Sequence, residues 1–146
     1  IDLTFHKLEK KINKVIDEYD KNKGMTIGLS KDLGIITHYI ADYFTFPHNI
    51  EYPGTMTEHI HYEAQLKVDF REFVQKMKEK HAHFQEVNMQ SADEICTFIR
   101  KFHEEYLHAV KSVENDCRYI LQICAQVVGA ILHLLQQNSM PLGCYM

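Results

Sequence analysis

Apolar residues recur along this chain at intervals of three and four in one segment after another, and that period constrains the fold more than any other feature. Phe5, Leu8, Ile12, Val15, Ile16 and Tyr19 form one stripe, which predicts a helix from about Leu3 to Tyr19 stopped at Gly24. Leu33, Ile36, Ile40, Tyr43 and Phe44 form a second, predicting a helix from an N-cap at Ser30 to about Phe46. Pro47 and Tyr52-Pro53-Gly54 mark a loop. Tyr62, Leu66, Phe70, Phe73, Val74, Met77 and Phe84 share the face of a third helix, expected from about Thr57 to His83. Ser91 and Glu94 have the spacing of a capping box and open a fourth, with Ile95, Phe98, Ile99, Phe102, Tyr106, Val110 and Val113 inward. The pattern then runs on through Cys117, Ile120, Leu121, Cys124, Val127, Val128, Ile131 and Leu135. Either the fourth helix is very long or a fifth follows it near Asn115-Asp116.

Such stripes joined by short loops predict an all-α, up-down antiparallel four-helix bundle with an extended last helix or a fifth C-terminal helix. The expected division is a bundle over residues 1–114 and, over 115–146, an apolar helix that packs on the bundle, on a second subunit or on a downstream domain. With 6 glycines and 3 prolines in 146 residues, the chain lacks the turn residues that an all-β fold needs. A net charge of -4, with bases interleaved among acids, excludes a phosphate-binding stripe and so a nucleic-acid role. Cys96, Cys117, Cys124 and Cys144 form no C-x-x-C pair and lie on or beside apolar stripes, which predicts buried free thiols and a cytoplasmic setting. Tyr119 to Leu135 carries Gln122, Gln126 and His133, so no membrane span is expected. A start at Ile1 and an end at Met146 without a polar tail suggest an excised domain or a processed chain.

Several stretches, in order, resemble the hemerythrin family. Ile1-Asp2, Phe5, Leu8 and Ile12-Asn13 are similar to the bacterial opening, where Ile-Asp precedes Gln-His, Leu and Ile-Asn. Tyr39 to Phe44 resembles Tyr-x-x-x-His-Phe, and Tyr52-Pro53-Gly54 resembles a Tyr-Pro-Gly loop. Phe70 to Lys76 resembles His-Glu-Glu-Phe-Val-Glu-Lys, and Ile95 to Leu107 resembles the last-helix pattern. The resemblance covers Ile1 to about Lys111 and implies a diiron, dioxygen-binding bundle. Its ligand positions are similar to Phe5, Tyr43, Pro47, Leu66, Phe70, Tyr106 and Lys111, none of them a histidine or a carboxylate. Phe and Leu have no lone pair to give iron. The resemblance therefore implies a metal site that has been lost, with apolar packing in its place; Tyr43, Tyr106 and Lys111 then either line a small polar pocket or, the favoured alternative, the tyrosines form core edges with their hydroxyls at the surface.

A rival site uses shifted donors. His38 and Asp42, like His59 and Glu63, stand four residues apart on one helix face, a spacing that suits metal. With His6, His103 and His108 they give the ligand types of a diiron pair. Helical phase opposes it: His38 lies about 160° from the inward Ile36, His6 about 100° from Phe5, and His108 about 160° from Tyr106. The pair His81 and His83 reads as solvent-facing. No phosphate loop, dinucleotide fingerprint, nucleophile elbow or H-E-x-x-H occurs. The expectation is a non-enzymatic, metal-free sensory, signalling or protein-interaction module without cofactor, partnered by another protein, by itself as a dimer through the C-terminal helix, or by a small ligand. The alternative is a dioxygen- or iron-binding diiron protein.

Overall fold

The computed structural model describes residues 2–49 and 53–139; Ile1, Tyr52 of the expected loop and Cys144 lie outside them. Five α-helices and one 3-10 turn account for the regular structure, with no strand among the described residues: α1 (Asp2–Glu18), α2 (Ile27–Tyr43), the turn Phe46–His48, α3 (Met56–Glu79), α4 (Ala92–His108) and α5 (Val113–Ser139). The protein is all-helical, as the periodicity predicts.

Local chemistry fixes the helix ends. Gly24, at φ 60°, adopts the left-handed conformation that turns the chain out of α1, where a Cβ would be strained. α2 starts earlier than expected, because Thr26 rather than Ser30 is its N-cap and accepts from Leu29 N–H at 3.0 Å. The extra turn begins on Ile27, which is 80% exposed, so no inward stripe announces it. Thr55 caps α3 and Ser91 caps α4 in the same way, accepting from Glu58 and Glu94. α3 stops at Glu79, short of His83, where His81 takes φ 51° and Ala82 N–H reaches back to Met77 carbonyl, the closure of a Schellman turn. His81 and His83 are exposed.

α4 and α5 are separate helices. Lys111 Nζ donates to the carbonyls of Tyr106 (2.9 Å) and Leu107 (2.7 Å), satisfying the open end of α4 and adding a positive charge where the helix dipole is negative. Ser112 then accepts from Asn115 N–H and starts α5. The break falls a few residues before Asn115-Asp116, and Val110, expected inward, is exposed.

The stripes meet in one core. Leu8, Ile12 and Val15 of α1, Ile36 and Ile40 of α2, Ile95 and Ile99 of α4, and Ile120, Ile123, Val127 and Ile131 of α5 are buried together. Each contributes roughly 1.5–3 kcal/mol by leaving water. α1 packs chiefly on α2 and α3 chiefly on α5, while α5 also meets α1, α2 and α4. By length and composition alone α5 is apolar enough to cross a membrane, and 50% of its apolar window is buried. Cys96 and Cys117 are buried free thiols, and Cys124 is a half-buried one.

Candidate metal centre

The end of α2, the turn after it and the first half of α3 carry five potential donor side chains, three of which the fold brings together. His38 and Asp42 sit one turn apart near the end of α2, with His38 Nε2 3.4 Å from Asp42 Oδ2. Pro47 is the second residue of the following 3-10 turn, where its fixed φ is suited. That turn ends on His48 and aims its ring at α3. On α3, His59 and Glu63 are again one turn apart, with His59 Nε2 3.1 Å from Glu63 Oε1. His48 Nε2 meets the same oxygen. The three donor atoms lie within 4.8 Å of one another.

Two imidazoles and one carboxylate are a donor set typical of a catalytic zinc, which takes three protein ligands and leaves a fourth position open. Tetrahedral bonds of about 2.0–2.2 Å would span separations of this order. The residues therefore fit zinc. Burial pushes the Glu63 carboxyl up, but the hydrogen bonds and charges of His48 and His59 outweigh it and hold the group below the usual carboxylate value.

A cavity of about 560 Å³ runs beside this cluster. Asp42, Thr45, His48, Glu63 and Lys67 give it a polar wall; Ile60, Leu66, Phe70 and Ile120 give it an apolar one.

The segment bearing His48 is held from beneath. Phe46 N–H donates to Asp116 Oδ2 at 2.8 Å, and the Asn49 side chain donates to Thr45 carbonyl at 2.8 Å while its Oδ1 meets His103 Nε2 at 3.0 Å. His103 is buried and stacked on Tyr43, with ring centroids 3.6 Å apart. Burial, helped by the charge of Lys111, pushes the His103 imidazole down to about 4 against the opposing backbone hydrogen bond with Tyr43. The unfolded chain takes up this proton near pH 6.5 and the folded chain only near 4. Above pH 6.5 the histidine is neutral in both states and costs nothing. As pH falls from 6.5 to 4, stability is lost at about 1.4 kcal/mol per pH unit, approaching about 3 kcal/mol. Denaturant unfolding across that window checks this: His103→Gln is expected to flatten the slope by that amount, and equal slopes in both proteins would refute it.

The residues singled out in the sequence scatter. His59 and Glu63 come together, as do His38 and Asp42, but His6 and His108 are exposed elsewhere and His103 belongs to the buried network. Of the positions matched to the hemerythrin ligands, Phe5 is half-buried with its ring 5.7 Å from that of Tyr43, and Pro47 lies within the 3-10 turn. Leu66 and Phe70 line the cavity, Tyr106 donates to Asp116, and Lys111 caps α4. Sequence reasoning passed over His48. The signal was there: a third histidine between two His-x-x-x-carboxylate pairs.

The sequence model of the family described as Zinc dependent phospholipase C matches residues 2–113. No curated protein and no solved structure matches the chain. The match overturns the hemerythrin resemblance. The metal-free, cofactor-free sensory or interaction module, its non-enzymatic character and its diiron alternative fall with it, because the family is one of zinc-dependent hydrolytic enzymes.

Proposed function

The chain belongs to the zinc-dependent phospholipase C family, and on that premise we propose that it is a zinc hydrolase acting on the phosphodiester of an amphiphilic lipid. The observation that carries the reading is the convergence of His48, His59 and Glu63 beside a half-polar, half-apolar cavity. A phospholipase of this class breaks the bond between phosphorus and the glycerol oxygen: water forms the new bond to phosphorus, and the glycerol oxygen leaves with a proton. Zinc, when bound, supplies Lewis acidity toward a phosphoryl oxygen and lowers the pKa of a water.

The chain's own groups supply the rest. His48, His59 and Glu63 would hold the ion. Lys67 brings a positive charge to the same cavity and suits a phosphoryl oxygen. Ile60, Leu66, Phe70 and Ile120 suit the apolar part of the substrate, with Ile60, 58% exposed, at the rim. Asp42 lines the cavity, with His38 beside its carboxylate, and accepts the proton that the attacking water gives up. For the architecture, we read α1–α4 as an up-down antiparallel bundle with α5 as a fifth helix; the packing of α1 on α2 and α4, and of α5 on all four others, supports this.

The test is zinc content by elemental analysis together with hydrolysis of phosphatidylcholine vesicles, with and without a chelator. Bound zinc and chelator-sensitive release of the phosphorylated headgroup are expected; zinc-free, inactive protein after zinc loading would sink the reading. In Asp42→Asn, turnover should fall about 10²–10⁴-fold with zinc retained, the range for loss of a general base. A fall in zinc content would instead make Asp42 a ligand of a second ion.

A further inference from the structure

Asp116, on the first turn of α5, is fully buried, yet it carries a carboxylate. Oδ2 accepts from Phe46 N–H at 2.8 Å and from the Tyr62 hydroxyl at 2.7 Å; Oδ1 accepts from the Tyr106 hydroxyl at 2.7 Å. These donors come from three places. Phe46 opens the 3-10 turn that ends on His48, Tyr62 stands on α3 between His59 and Glu63, and Tyr106 stands on α4. One oxygen atom thus joins the two segments that carry the metal donors, far apart from it in sequence.

We propose that Asp116 is a positioning residue for the zinc centre, clamping the turn that carries His48 to the helix that carries His59 and Glu63 so that the three donors keep one spacing. The inference rests on the zinc reading above. Packing alone does not account for an acid here, since an apolar side chain of similar volume usually serves a core as well or better. Burial pushes the Asp116 carboxyl up, the donors from Tyr62, Phe46 and Tyr106 and the charge of Lys111 act against it, and the net position is raised. A buried carboxylate kept against that cost is explained by what it joins. The Tyr62 ring also packs edge-on against Phe46, with centroids 5.9 Å apart, so the hydrogen bonds fix a contact that already exists. Asp116 lies just beyond the stretch that the family model matches, on a helix that contributes none of the three donors.

The experiment is a competition titration of zinc against a chromogenic chelator, using the full chain and its Asp116→Asn, Tyr62→Phe and Ile12→Val forms, alongside thermal unfolding of each without zinc. Ile12 is buried in α1 and takes no part in the hydrogen bonds to Asp116, so its substitution lowers stability while leaving those bonds in place. Asp116→Asn and Tyr62→Phe are expected to weaken zinc binding about 10–100-fold, the range for groups that orient a metal's ligands. Ile12→Val should bind zinc as the parent does. Tyr62→Phe keeps the test open if Asp116→Asn fails to fold. Parent-like zinc affinity in the clamp variants, or an equal loss in Ile12→Val, would overturn the inference and leave the zinc reading standing. Absence of zinc binding in the parent would overturn both.

Discussion

Glu63→Gln is expected to abolish zinc retention and lipid hydrolysis together while leaving the fold nearly as stable as before. Glu63 Oε1 is the atom on which His48 and His59 converge, so its charge is what makes three neighbouring side chains a metal site. Glutamine keeps the shape and offers only a neutral carbonyl oxygen. Zinc affinity should fall by more than about 100-fold, beyond the loss expected for a group outside the ligand set. The Glu63 side chain is 44% exposed, and ion pairs so placed contribute no more than about 1 kcal/mol. Elemental analysis after gel filtration in a weak chelator, beside a denaturant curve, checks both halves. A Glu63→Gln protein that keeps parent-like zinc and turnover would remove these residues from the centre.

Phe44→Ala substitutes none of the three donors and should instead cost the fold a large part of its stability. Phe44 is fully buried, and its ring lies edge-on to Tyr43, His103 and Tyr106 and parallel to Tyr119 at 6.0 Å. It therefore joins α2, α4 and α5 at one point. Truncation removes transfer energy and leaves a cavity, together about 3–5 kcal/mol. That is a large share of the 5–15 kcal/mol typical of a domain. Phe44 also directly precedes the segment that presents His48, so zinc affinity should fall with stability. A measured loss under about 1.5 kcal/mol would show that the aromatic cluster is not the joint described here.

Much of the core was legible because burial follows helical period. Leu8, Ile12 and Val15, Ile36 and Ile40, and Ile95 and Ile99 lie inward as their spacing predicts. The stripe was silent about α2's first turn, which exposes Ile27, and about the end of α4, where a polar cap by Lys111 on the carbonyls four and five residues back leaves no mark on the apolar period. The candidate metal centre was harder to read for a definite reason. Helical phase correctly turned His38 away from the core, since its side chain is 70% exposed. The error lay in requiring a metal in a helical protein to sit at the core. Here the donors gather in a surface groove where a loop crosses helices, and a loop histidine has no period to betray it. Asp116 was invisible for a similar reason, since three partners from distant segments define its role.

The separation of the ligand groove from the apolar interior has a practical corollary. Small zinc modules that lack a core of their own collapse when the ion is withdrawn. This chain buries its aliphatic side chains among themselves, with His48, His59 and Glu63 at the periphery. On the zinc reading proposed above, the ion should therefore leave and return, or be exchanged for a spectroscopically active one, without the polypeptide having to be rebuilt each time.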